Sequence, residues 1–285
     1  MSSTPGYELI DFGGGARLER FGSRVVDRPH PGALGPRGTD DAWRVADLRF
    51  DRERGWSGPA GEEPWGFDAT GLRLELRPTE AGQVGLFAEH LGMLGWLRGR
   101  IAARAGDRAR PAVLHLFAYT GVATLAMLDA GAAVTHVDSS RPTVAWARRN
   151  AELSGLADRP VRWIVDDAVR FTEREVRRGR VYDGIVLDPP TYGHGPGARP
   201  WRLEDDLPRL LAAAGEILAA DGFVLLTAHT PGLDGDRLAG ILGDALGRGA
   251  RERHQHGIDA GGLDLATPDG RTLELGAFAR SAGGA

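Results

Sequence analysis

Between residues 113 and 247, five short apolar runs are each followed by a segment with helical spacing. The runs are VLHLF (113–117), AVTHVD (133–138), VRWIV (161–165), YDGIVLD (182–188) and GFVLLTA (222–228). They are rich in Val, Leu and Ile and show no clear polar alternation, which is the pattern of strands buried on both faces inside a parallel sheet. A repeated strand-then-helix order requires crossover connections and predicts a doubly wound α/β domain. Two further runs, near 251–256 and 273–279, lie in a tail without helical periodicity and are expected to close a seven-stranded sheet antiparallel. Upstream, Leu91, Leu94, Leu97 and Ile101 fall at helical spacing and predict a helix that leads into the first strand.

Residues 1–77 read differently. YELIDF, ARLERFG and LRLELR alternate or nearly alternate and are separated by glycine- and proline-rich stretches such as DRPHPGALGPRG. The expectation is a small β-rich domain over 1–77, with Trp43, Trp56 and Trp65 as its core, followed by the α/β domain over 78–285.

Composition removes several function classes. The chain has no cysteine, so disulfides, thiolate metal sites and cysteine nucleophiles are excluded. A formal net charge of -4 over 285 residues argues against a general polyanion binder, so any nucleic-acid contact has to come from a local basic surface. MSSTPGYELI lacks the basic start and apolar core of a signal peptide. No apolar run approaches the roughly 20 residues that span a bilayer. The expected location is the cytoplasm, with no membrane partner. No metal is expected either: His254 and His256 share a strand face but have no evident third ligand.

In an open α/β sheet, ligands collect at the carboxyl ends of the strands. There the sequence places Phe117-Ala118-Tyr119-Thr120-Gly121, then Asp138-Ser139-Ser140, then Asp166-Asp167, and finally Asp188-Pro189-Pro190-Thr191-Tyr192. Asp138 ends a strand about 20 residues past the first loop, where a ribose-binding acid belongs. The competing role is capping the next helix, which Ser139 and Ser140 also offer. Asp167 is either an acceptor for an adenine amino group or an N-cap. The first loop carries only Gly121, which suits no pyrophosphate cradle and lowers the dinucleotide readings. A nucleoside with an amino-acid tail, S-adenosylmethionine, fits better.

VLHLFAYTG, VDSS, ARRNAELSGL, DDAVRF and DPPTYG, in this order, resemble the class I S-adenosylmethionine-dependent methyltransferases with their Rossmann-like sheet. Within them they are similar to the 23S ribosomal RNA enzymes that make 5-methylcytosine and 7-methylguanosine. Gly82 to His90 resembles the element that precedes the first strand in that family. The resemblance implies that Phe117, Ala118, Tyr119, Thr120 and Gly121 surround the methionine moiety. It implies too that Asp138, with Ser139, serves the ribose, that Asp167, with Asp166, serves the adenine, and that Phe87 and Glu89 close over the cofactor. His90 stands where the family usually has Gln, and His115 where Asn is frequent. The 5-methylcytosine branch needs a cysteine nucleophile, which this chain lacks.

Methyl transfer from a sulfonium chiefly requires positioning and the exclusion of water. Asp188 and the carbonyl of Pro189 are candidate acceptors of hydrogen bonds from the methylated group, and Asp188 is also a candidate cofactor-binding residue. Pro189 and Pro190 fix the backbone that presents them, and Tyr192 is a stacking surface for a base. His194 is a weaker candidate in the same loop, and the solvated reading is preferred for it. The expected activity is methylation of a nitrogen of a base in ribosomal RNA, bound through the 189–203 loop and the amino-terminal domain. The alternatives are a small-molecule or protein methyltransferase and a non-catalytic cofactor-binding module. Arginines 98, 100, 104, 108 and 110, and 174, 177, 178 and 180, are read as solvated surface.

Overall fold

The computed structural model describes residues 6–38, 40–105, 110–193, 200–246 and 257–282. Contacts divide the chain into two compact units, Met1–Met93 with Asp264–Leu275, and Leu94–Leu263 with Gly276–Ala285.

The first unit holds a five-stranded sheet in the order β1 (Tyr7–Gly13), β2 (Ala16–Phe21), β3 (Arg24–Pro29), β4 (Leu48–Asp51) and β5 (Gly55–Ser57). A hairpin of β6 (Trp65–Ala69) and β7 (Leu72–Leu76) forms a separate two-stranded sheet. A short helix not expected from the sequence, α1 (Asp40–Arg44), places Trp43 in a small core with Leu18 and Val25. Trp65 is buried as expected, whereas Trp56 is only half-buried, stacked obliquely on Phe50.

Both faces of β2 are buried. Leu18 lies on one of them, and the other carries Arg17 and Glu19. Glu19 receives Arg28 at 2.6 and 3.2 Å and the Tyr7 hydroxyl at 3.0 Å, and Arg17 lies 3.2 Å away. Arg28 also donates to Gln83 at 2.6 Å. An irregularity in β1 between Leu9 and Asp11 turns Asp11 inward. There its carboxylate accepts from the Trp43 indole at 2.7 Å and pairs with Arg271.

The second unit begins with α2 (Leu94–Ala105) and alternates β8 (Ala112–Leu116), α3 (Val122–Asp129), β9 (Ala133–Asp138), α4 (Arg141–Leu153), β10 (Val161–Val165), α5 (Ala168–Arg177) and β11 (Tyr182–Leu187). A two-residue ladder follows, β12 (Tyr192–Gly193) with β13 (Trp201–Arg202). It leads to α6 (Leu203–Glu216), β14 (Leu218–Ala228), α7 (Gly235–Ala245), β15 (Asp259–Ala266) and β16 (Thr272–Ser281).

The seven-stranded sheet has the order β10-β9-β8-β11-β14-β16-β15. The strands β8 to β11 and β14 run parallel, and β16 returns antiparallel beside β14. The expected α/β sheet is therefore present. The strand expected near 251–256 lies outside the described residues, and β15 over Asp259–Ala266 occupies the edge instead. All six residues of β11 are buried, as a non-alternating strand at the centre of a sheet must be. Leu114, Ile185, Leu187, Leu210, Leu226 and Leu242 form the core around it. Each such side chain contributes about 1.5–3 kcal/mol through burial.

Chain order reverses between β8 and β11, since successive strands run outward from β8 to β10 and then resume on its other side. A crevice at such a reversal, beyond the carboxyl ends of the two strands, is where ligands bind. The loop after Leu116 and the loop after Leu187 flank it, and these two residues are register partners. Among the described residues, no helix is long and apolar enough to cross a membrane.

Several members of the arginine clusters read as solvated make ion pairs, Arg178 with the buried Glu175 at 2.9 Å among them. Arg104 is largely buried and reaches Asp221 at 2.7 Å and Asp183 at 3.8 Å. Arg174 pairs with Asp166.

Candidate active site

The loop after β8 has an unusual backbone. Phe117 and Tyr119 take positive φ values of 53° and 49°, and Gly121 has φ 88°. A left-handed conformation costs a residue with a side chain of order 1–3 kcal/mol and persists where its surroundings impose it, which occurs chiefly at ligand sites. Here the anchors are visible. The amide of Tyr119 donates to Asp138 Oδ2 at 2.9 Å, that of Ala118 to the Val137 carbonyl at 3.1 Å, and Asn150 holds the Thr120 carbonyl at 3.0 Å.

Gly121 precedes α3 without any side-chain cap, so the first amides of that helix remain open to a ligand. A Cβ at Gly121 would lie 3.1 Å from Ala147 Cβ, so glycine allows the loop to pack closely on α4.

Asp138 ends β9 and is half-buried. Its Oδ1 accepts from the Ser140 amide at 2.9 Å, while Ser140 rather than Asp138 caps α4 by accepting from Thr143. Burial raises the Asp138 carboxyl above its ordinary value, and the bonds from Ser140 and Tyr119 offset only part of that rise. Each oxygen spends one lone pair on a backbone amide, leaving acceptor capacity for two ribose hydroxyls. Ser139 is exposed beside it.

Asp167 is the N-cap of α5, with its side chain accepting from the Arg170 amide at 2.9 Å. Asp166 accepts from the Asp167 amide at 2.8 Å and is held by Arg174. Phe87 and Glu89 belong to the first unit, where Glu89 is buried and its charge acts on Arg28 and Tyr7.

A buried polar chain supports the loop from beneath. His115 Nδ1 lies 2.7 Å from Thr124 Oγ1, which lies 2.9 Å from His136 Nδ1. Burial, with smaller contributions from His115 and Arg148, holds the His136 imidazole well below 6.5. In the first unit, burial together with Arg17 lowers His30 to about 4. Both imidazoles fold neutral but charge near pH 6.5 when unfolded. Their contribution to stability is therefore complete above about pH 6.5 and declines as pH falls below it, by about 1.4 kcal/mol per pH unit for the buried His136 and by less for His30, whose charge solvent partly screens. Urea unfolding between about pH 7 and pH 5 measures this slope, and a flat profile would refute it.

On the other side of the crevice, Asp188 follows β11, Pro189 is buried and Pro190 is exposed. The Pro190 carbonyl is taken by the Trp201 indole at 2.6 Å, and Trp201 stacks obliquely on Phe117 at 5.1 Å. Tyr192 is 74% exposed and is the ladder partner of Arg202. His194, like His254 and His256, lies outside the described residues.

Three residues here were not singled out from the sequence. Thr227, at the end of β14, donates to Asp188 Oδ1 at 2.6 Å. His229 Nε2 lies 3.5 Å from the same oxygen. Thr230 pairs with Thr191 at 2.8 Å. The sequence carries a signal for them: GFVLLTA runs directly into His229-Thr230, a fifth strand end on the ligand edge.

The site has two halves. One combines a half-buried carboxylate at a strand end with a tight loop and an open helix start. The other combines a fixed carboxylate with an exposed aromatic ring. The acid, the glycine that keeps the loop close to α4 and the uncapped amides fit a nucleoside bearing an amino-acid tail, with no need for a phosphate cradle.

A family model described as S-adenosylmethionine-dependent methyltransferase matches residues 44–252. The crystal structure of a SAM-dependent methyltransferase from Agrobacterium tumefaciens is 35% identical, with a TM-score of 0.88, covering 99% of this chain and 91% of that one. A Streptococcus mutans structure is 16% identical with a TM-score of 0.72, over 94% of this chain and 71% of that one, a likeness of fold. The ribosomal RNA large subunit methyltransferase K/L of Magnetococcus marinus is 30% identical over 162 residues, which are 56% of this chain. The chain spans only 21% of that relative's length.

Proposed function

The chain belongs to the S-adenosylmethionine-dependent methyltransferases, and within that family we propose that it methylates a nitrogen of a base in 23S ribosomal RNA. The bound cofactor supplies an electrophilic methyl group. The residues of the chain bind it, orient the acceptor and exclude water. Asp138 and Ser139 serve the ribose, the 117–121 loop the methionine moiety, and Asp166 and Asp167 the adenine. Asp188, the Pro189 carbonyl and Pro190 form the acceptor side. In this reading residues 78–285 carry catalysis and 1–77 form an accessory domain.

The observation that carries the RNA reading is the pairing of exposed Tyr192 with Arg202 across the β12–β13 ladder, in the segment that follows Asp188. An aromatic face stacks on an unpaired base, worth roughly 1–3 kcal/mol, and the adjacent guanidinium meets phosphate. The ribosomal RNA enzymes among the curated relatives support it. The absence of cysteine directs the reading to nitrogen rather than to a ring carbon that needs thiolate activation.

Mass-spectrometric mapping of ribosomal RNA from wild-type and deletion strains tests the proposal. One methylated nucleoside is expected to be missing in the deletion strain and restored by the cloned chain. An unchanged map would reject ribosomal RNA. One observation favours a second reading, a small-molecule or protein acceptor: the first unit carries more acidic than basic residues, which is a poor surface for a polyanion.

A further inference from the structure

Two four-residue strand ends lie side by side at the acceptor edge, Asp188-Pro189-Pro190-Thr191 after β11 and Thr227-Ala228-His229-Thr230 at the end of β14. They are joined twice, by Thr227 to Asp188 at 2.6 Å and by Thr230 to Thr191 at 2.8 Å. Between these joints the His229 imidazole stands 3.5 Å from Asp188 Oδ1. A close approach fixes its place. A Cβ at Gly276 would fall 2.3 Å from the Ala228 carbonyl and 3.1 Å from His229 Nδ1, so only glycine on β16 leaves room for this backbone and ring.

The arrangement does more than hold a carboxylate. Thr227 and His229 both address Oδ1, which directs the remaining acceptor capacity of Asp188 elsewhere. The imidazole is 26% exposed and the carboxylate 19%, so the pair reaches from the crevice wall to solvent. Carboxylate-oriented imidazole is a common proton acceptor, because the carboxylate fixes the ring and stabilises its protonated form.

Resting on the methyl-transfer reading, we propose that His229, positioned by Asp188 and by the gap at Gly276, takes up the proton that the acceptor sheds on methylation. The acceptor class is then one with a proton to lose, an N–H or O–H group. As its lone pair forms the new bond to the methyl carbon, the carbon–sulfur bond breaks and its electron pair stays on sulfur. The acceptor's proton passes to the Asp188–His229 pair and from His229 to water. A ring nitrogen with no hydrogen would need no such residue.

The test does not presuppose the acceptor. Extract from a deletion strain, separated into RNA, protein and small-molecule pools, is incubated with methyl-labelled S-adenosylmethionine and wild-type, His229→Asn or His229→Ala protein. Label from wild type outside the RNA pool would reject the RNA reading but leave the role of His229 to the variants. With the labelled pool as substrate, both variants are expected to lose about 100-fold in kcat. Their S-adenosylhomocysteine affinity by calorimetry should remain within twofold of wild type, and added imidazole should partly restore His229→Ala. The product should carry its methyl group on a nitrogen or oxygen that formerly bore hydrogen. Wild-type turnover by the variants, a parallel loss of cofactor affinity, absence of imidazole rescue, or methylation of a hydrogen-free ring nitrogen would each overturn the assignment. Label in no pool would overturn it together with the methyl-transfer reading.

Discussion

Replacing Glu19 by alanine lowers the free energy of unfolding by about 3–5 kcal/mol, the expected cost of removing one partner from a buried ion network. Glu19 is fully buried and is the anion to which Arg17, Arg28 and the Tyr7 hydroxyl converge. Burial by itself would raise its carboxyl, yet the two guanidinium groups and the hydrogen bonds outweigh burial and hold it below its ordinary value. Without it, two buried cations face each other with no anion between them. Urea unfolding followed by tryptophan fluorescence measures the loss, with Trp43, Trp56 and Trp65 in the same unit as reporters. A variant within about 1 kcal/mol of wild type would show that the network adds no net stability. Glu19→Gln separates the contributions, since it keeps the shape and one acceptor oxygen and removes only the charge.

The second large effect is on ligand binding. Asp138→Ala should weaken S-adenosylhomocysteine by at least about 100-fold in calorimetry. Hydrogen bonds from ribose hydroxyls to a carboxylate contribute about 1.5–3 kcal/mol each, and two of them convert to a factor on the order of 10² to 10⁴. The substitution also releases the Tyr119 amide, whose bond to Asp138 helps to hold that residue at φ 49°. Asp138→Asn keeps one acceptor oxygen and should fall between the two. Affinity within threefold of wild type in the alanine variant would sink the assignment of Asp138 to the ribose.

Much of the α/β unit was legible because apolar periodicity is a local property. VLHLF, YDGIVLD and GFVLLTA lack alternation since each is covered on both faces, and each became a strand of the large sheet. The edge strand Asp259–Ala266 was not legible. Its burial alternates weakly between glycines and acids, so no apolar run marks it.

The amino-terminal strands show the limit of alternation more sharply. ARLERF reads as one apolar and one solvated face, but the polar face is covered and its charges neutralise one another. Periodicity reports which residues share a face. It does not report whether water covers that face.

The sequence by itself determined the α/β class, the order of the five parallel strands and their helices along the chain, and the residues that end each of those strands. Those depend on side-chain spacing within a few residues. Only the tertiary structure decided which strand ends become neighbours. The reversal of order between β8 and β11 sets the Phe117 loop beside Asp188, and the pairing of β11 with β14 brings Thr227 and His229 to the same carboxylate. Thr227 lies 39 residues from Asp188, a separation across which no local pattern operates. The contact exists because strands buried on both faces must find lateral partners to satisfy their backbone hydrogen bonds.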